Sequence, residues 1–142
     1  MSDVERDIRE VLKGVTELTA FVGGANHLFT GSWDLEVPRS AWIQAQRPRP
    51  GIREIRGSVI LTEEPFLLYV KGTGEGETER AATHAALQAA VTGANAVFNK
   101  SHVVGGRRVT LQLESSGAER VRRGSQSKDP VYRIAGVARR TP

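Results

Sequence analysis

The stretch from Phe66 to Val91 constrains the fold more than any other. Phe66-Leu67-Leu68-Tyr69-Val70 is an apolar run too short for a helix, Gly72-Thr73-Gly74-Glu75-Gly76 is a glycine-rich joint, and Glu77 to Val91 is rich in alanine. These read as a strand, a hinge and a helix. Alanine favours the helix and projects little bulk from it, so Ala81-Ala82-Thr83-His84-Ala85-Ala86-Leu87 can lie close against a sheet or a neighbouring subunit. The rest of the chain has to supply that surface, which places this unit at the middle of a small α+β domain.

A second helix is expected at the start. Ser2 and Glu5 stand at capping-box spacing, where hydroxyl and carboxylate each satisfy a backbone N–H. Val4, Ile8, Val11, Leu12 and Val15 share one face, and Glu5, Arg6, Arg9, Glu10 and Lys13 take the other, so one side is expected in the core and the other in solvent. Gly14 is expected to weaken the helix end, Leu18, Phe21 and Val22 to continue its apolar face, and Gly23-Gly24 to stop it.

Most of the remainder has β character. Leu28-Phe29-Thr30 and Ala41 to Gln46 are short strand candidates around a loop containing Asp34 and Pro38. Trp42 reads as core and Trp33 as packing near an edge, or as an exposed aromatic anchor for a partner. Arg47-Pro48-Arg49-Pro50-Gly51 is an exposed loop, because two prolines remove two backbone donors. Ile52 to Thr62 resumes the pattern, and Glu63-Glu64-Pro65 is expected to turn it into the Phe66 strand as an antiparallel hairpin. Past the turn residues Thr92 to Asn95, Ala96 to Val104 and Arg107 to Glu114 are expected to pair across Gly105-Gly106. There Val109, Leu111 and Leu113 alternate with polar residues. Ser115 to Arg123 either extends that strand or begins a projecting arm, Gly124 to Pro130 is expected to be a mobile loop, and Val131 to Ala138 returns to strand before residues 139–142 fray. The fold class is α+β: a mostly antiparallel sheet with hairpins, flanked by an N-terminal amphipathic helix and a central Ala-rich helix.

At 142 residues the chain is expected to be one domain spanning residues 1–142, with mobile loops near 47–51 and 120–130. With no cysteine it forms no disulfide framework, and the acidic N-terminal residues Asp3, Glu5, Asp7 and Glu10 do not suit a signal peptide. No apolar run approaches the roughly 20 residues of a membrane span. The net charge of +4 is uneven: from Gly105 to Pro142 nine basic residues face three acidic ones, leaving the first 104 residues at −2. Such a basic end suits nucleic acid, an acidic partner, or simply solvent.

Chemistry-bearing motifs are sparse. The glycine joint sits where a phosphate loop would, but Glu75, Glu77 and Glu79 would repel a phosphate and no Gly-Lys-Ser/Thr ending follows. His27, His84 and His102 share no metal-ligand spacing, and His84 among alanines reads as a packed or interface residue. No nucleophile elbow or His-Glu-x-x-His pair occurs, so no catalytic, cofactor-binding or metal residue is assigned and a non-enzymatic role is expected. Arg47 and Arg49, and Arg120, Arg122, Arg123 and Lys128, form basic loops suited to docking a partner or to general phosphate contact. No aromatic residue interleaves the second group, so there is no stacking platform for bases.

Val4, Ile8, Val11 and Leu12 at the start, and Phe66-Leu67-Leu68-Tyr69-Val70 leading through glycines into Glu79-Arg80-Ala81-Ala82-Thr83-His84-Ala85-Ala86-Leu87, set an order of elements across most of the chain. In that order the chain resembles the tail terminator proteins of long-tailed, siphovirus-like bacteriophages. The resemblance implies a small α+β subunit that forms a ring, usually a hexamer, on the end of the completed tail tube. That ring stops tube polymerisation and offers a docking surface to the head-completion or connector protein. Genomic DNA passes through its lumen without sequence-specific binding. It implies a place at the head–tail junction of the virion after assembly in the host cytoplasm, with no membrane partner. For such a ring, Ala82, His84 and Ala86 are the candidate subunit-interface residues, and the two basic loops are candidate docking elements. Other readings are a different neck or tail component, such as a head-completion protein or tube subunit, and a basic nucleic-acid-binding protein.

Overall fold

The computed structural model describes residues 3–31, 38–46, 55–56, 59–60, 62–121 and 128–140. Helix α1 spans Asp3–Leu12 and α2 spans Thr16–Val22. Between them the N–H groups of Gly14 and Val15 reach back only three residues, to Val11 and Leu12, which tightens the chain and turns it. The amphipathic pattern therefore runs through two helices rather than one. At the end of α2, Gly23 takes φ +89° and the N–H of Gly24 bonds the Thr19 carbonyl, the left-handed stop that glycine makes possible. The Ser2 cap lies outside the described residues.

The main sheet has the strand order β1 (Leu28–Thr30), β2 (Ser40–Ala45), β5 (Thr62–Lys71), β9 (Val131–Arg140), β7 (Arg107–Leu113), β6 (Lys100–Val104). A short β8 (Glu119–Arg120) pairs with β9 beside the end of β7, and β3 (Ile55–Arg56) pairs with β4 (Val59–Ile60) apart from the sheet. β1 runs parallel to β2 and every other pairing is antiparallel. β5 and β9 form the centre, paired without interruption from Thr62 opposite Arg140 to Lys71 opposite Val131.

One expected hairpin is corrected here. Glu63-Glu64-Pro65 does not turn the chain; it lies inside β5, whose neighbours are β2 and β9. Glu63 faces Arg139 at 3.5 Å and Glu64 faces Arg140 at 2.9 Å, so ion pairs carry the strand beyond its apolar run. Pro65 is tolerated where β2 has just ended, and its carbonyl still accepts a bond from the Gln46 N–H. The same arginines correct the expected fraying at 139–140, since both belong to β9. Ala96 to Asn99 is not strand: Val97 and Phe98 are buried and donate their N–H groups to the Ala90 carbonyl near the end of α3 (Glu77–Thr92), and β6 starts only at Lys100. The Gly105-Gly106 turn is as expected, both residues taking positive φ between β6 and β7.

Alternation in β5 puts Phe66, Leu68 and Val70 on the face that packs against α1, α2 and α3. Val109 and Leu111 of β7 and Ile134 and Ala138 of β9 extend this core. Phe29, Trp42, Leu67, Tyr69 and Arg133 occupy the opposite face. Among the described residues no helix is long and apolar enough to cross a membrane.

Candidate assembly surface

Gly72 fixes how β5 meets α3. Its N–H donates to the Pro130 carbonyl at 2.9 Å, and a Cβ there would collide with Thr83 Oγ1, so only glycine lets the joint lie on the helix. The next amides are also engaged: Thr73 N–H bonds Glu79 and Gly74 N–H bonds Asp129, both carboxylates. The N–H groups of Thr73 and Gly74 thus point at carboxylates of this chain rather than presenting a free anion cradle. Glu79 is gripped a second time by Arg39, whose Nε and Nη2 reach its two oxygens at 2.8 and 2.6 Å. That paired arginine holds the Glu79 carboxyl below the usual carboxylate range, against the opposing effect of burial. The Arg39 guanidinium also lies 4.7 Å from the centre of the Phe21 ring, linking the joint to α2.

Below the joint, Lys71 is only 1% exposed and its Nζ lies 3.6 Å from Asp129 Oδ2. Lys128 and Glu75 pair across solvent at 3.5 Å. Residues 128–130 are therefore tied to the strand-to-helix joint. On the other side, β8 and the Val121 N–H hold residues 119–121 to β9. Arg120 is exposed on β8, while Arg122, Arg123, Arg47 and Arg49 lie outside the described residues.

The helix divides its alanines between two surfaces. Thr83, Ala86, Leu87 and Ala90 face the core, and Ala86 is 5% exposed, so its methyl group is used within the subunit. Ala81 and Ala85 are exposed one turn apart, with Ala82 and His84 half-buried beside them. His84 meets the Tyr132 ring edge-on at 5.2 Å between centres. Of the expected pair, Ala86 is thus turned inward and Ala82 is half-buried, while Ala81 and Ala85 put small exposed side chains on the outside of α3.

A charged cluster absent from the sequence reading anchors the opposite end. Asp7 is nearly fully buried and accepts from Arg107 at 2.9 Å and from Arg140 at 3.0 Å; Arg140 also reaches Glu64. Burial works against the charge of Arg140, but the Asp7 and Glu64 carboxylates outweigh it and raise its pKa. Glu5, expected in solvent, is also buried: one carboxylate oxygen accepts from the N–H groups of Gly31 and Ala45, which lie at the ends of β1 and β2. The signal for both residues is weak, since a carboxylate on a helix flank looks the same whether or not orphaned amides and arginines await it. The histidines stay apart: His27 contacts the Val22 carbonyl and stacks on Phe29, and His102 contacts the Val97 carbonyl. No group of three or more potential metal ligands occurs among the described residues.

No protein-family model matches the sequence, and no curated protein is similar to it at the sequence level. The fold does have a counterpart. A chain in the virion of the native gene transfer agent particle superposes with a TM-score of 0.62 at 14% identity, covering 98% of this chain and 95% of that one. The likeness is one of fold, spanning nearly the whole of both chains.

Proposed function

We propose that this chain is a structural protein of a phage-like virion, and within it a tail terminator: a subunit of a ring that caps the tail tube, stops its growth and receives the head. The observation that carries the reading is the end-to-end fold likeness to a chain of the gene transfer agent virion. The element order Phe66 to Leu87 supports the finer assignment by its resemblance to tail terminators. Ring building needs two different side surfaces that pair and close by rotation. The outer strip of α3, with exposed Ala81 and Ala85 flanked by Ala82 and His84, provides one flat side on which a neighbour can approach closely. Arg120 and Lys128, together with Arg47, Arg49, Arg122 and Arg123, serve head or tube proteins rather than the lumen, because strong phosphate contacts would retard passing DNA. Catalysis has no part in this reading.

The test is to purify the protein, measure its mass in solution and image it alone and with tail tubes. Closed rings that seat on tube ends and halt elongation are expected. Long tubes formed by the protein itself would identify a tube subunit instead, and a monomer that binds DNA with a steep salt dependence and ignores tubes would overturn the proposal.

A further inference from the structure

Val103 is 74% exposed, the one large apolar side chain so exposed among the described residues. It lies on β6 just before the Gly105-Gly106 turn, and its cross-strand partner on β7 is Arg108, which is exposed as well. Val109 and Leu111 turn toward the helices, so by alternation Val103 and Arg108 project from the other face of the sheet. Residues directly opposite each other in an antiparallel pair hold their Cβ atoms about 5 Å apart, so the apolar knob and the cation form one patch. The subunit that carries the knob leaves it bare.

A surface that fits this patch lies on α3. The helix packs through Thr83, Ala86, Leu87 and Ala90, and turns Glu77, Ala81 and Ala85 outward, all three exposed. These three recur every fourth residue and so form one row, climbing a helical turn of about 5.4 Å at each step. Ala81 and Ala85 leave a shallow seat for a branched apolar side chain. Glu77 stands one turn below that seat, with the charge opposite to that of Arg108. A valine seated between the two alanines brings the arginine beside it within reach of the glutamate, because one helical turn is a distance an extended arginine side chain covers.

The two patches do not meet within one subunit, since α3 lies on one face of the sheet and Val103 projects from the other. Docking the Val103 patch on a second copy of itself would set two copies of Arg108 side by side, a like-charge contact that disfavours the symmetric arrangement. We propose that the Val103–Arg108 patch of one subunit docks on the outer face of α3 of a second copy, with Val103 between Ala81 and Ala85 and Arg108 against Glu77. The contact deepens the ring reading above and rests on it, supplying the second side surface that such a ring needs. Its two halves are different patches, so it runs head to tail and each subunit offers one half to either neighbour.

The chain contains no cysteine, so introduced thiols report on this contact alone. Val103→Cys and Ala85→Cys are prepared as separate full-length chains, mixed, mildly oxidised and run on a non-reducing gel. A disulfide-linked heterodimer about tenfold above either homodimer is expected, because the contact holds these two thiols together. Arg108→Glu is expected to weaken assembly about tenfold, read as solution mass against concentration, and Glu77→Arg in the same chain to restore it. Arg108 also makes a contact within its own chain, so Val103→Asp serves as a second variant, expected to weaken assembly with an unchanged melting temperature. Val103→Cys linking to itself as readily as to Ala85→Cys would mean symmetric pairing and overturns the proposal, as does a Glu77→Arg change that restores nothing. Rings that form without the heterodimer and withstand Val103→Asp overturn this contact and leave the ring standing; a chain that stays monomeric at every concentration overturns both.

Discussion

Asp7 and Arg140 are 133 positions apart in sequence and 3.0 Å apart in the fold. Their contact ties the first helix to the end of β9, and Arg107 and Glu64 complete the cluster from β7 and β5. Breaking a buried pair from one side leaves the other charge without compensation. Asp7→Ala should therefore cost about 3–5 kcal/mol in urea unfolding, far more than an exposed ion pair such as Lys13–Glu10. Asp7→Asn and Arg140→Gln should be non-additive, the double variant losing less than the sum of the singles. Additivity within about 0.5 kcal/mol would show that the two side chains act independently.

Acid should loosen the joint through Glu79. Its carboxyl pKa is lowered in the folded state, chiefly by Arg39, so the stability it contributes is present above the ordinary glutamate range, near about 4.3, and is lost as pH falls through the lowered folded value. Melting temperatures measured from pH 7 to pH 3 should fall more steeply for the natural chain than for Glu79→Gln. Parallel curves would mean that the Arg39 grip contributes nothing.

Gly72→Ala places a methyl group against Thr83 Oγ1 and Glu79. A loss of about 1–3 kcal/mol is expected from this overpacking. Thr83→Ala added to Gly72→Ala removes the closest of these contacts and should recover part of the loss, read by chemical denaturation. No recovery would place the strain in the backbone of the joint instead.

The two kinds of alanine on α3 should respond in opposite ways to the same side chain. Ala85→Arg, on the exposed strip, should change monomer stability by no more than about 0.5 kcal/mol and abolish the ring. Ala86→Arg, in the core, should cost about 3 kcal/mol or more because it buries an unpaired charge. Circular dichroism and solution mass separate the outcomes, and rings that survive Ala85→Arg would remove α3 from the subunit contact.

Local pattern carried much of this fold. Glycine positions and apolar spacing marked an N-terminal helical stretch, read as one helix where α1 and α2 stand, together with α3 and the β6–β7 turn, because those features are decided within a few residues. What could not be read was who pairs with whom. The apolar run at Phe66 announced a strand, but its length was set by Arg139 and Arg140, more than seventy residues away. Ala82 and Ala86 differ by one helical turn and look equivalent in sequence; only the angle at which α3 meets the sheet puts Ala86 inside. Glu5 and Asp7 likewise sit on a helix flank that reads as solvated until the strand ends and arginines of other elements arrive. The candidate surface was legible as a property of the helix and not as a choice among its faces.

The central position of β9 bears on how the chain is made. β5 and β7 come earlier in sequence, yet neither touches the other in the strand order except through residues 131–140. The sheet is thus assembled out of translation order. Until β9 has been synthesised, the two halves of the sheet have no common register, and each shows an unfilled inner edge. The strand that joins the halves is synthesised after every other strand of the sheet, so the continuous surfaces of the finished sheet cannot exist before it.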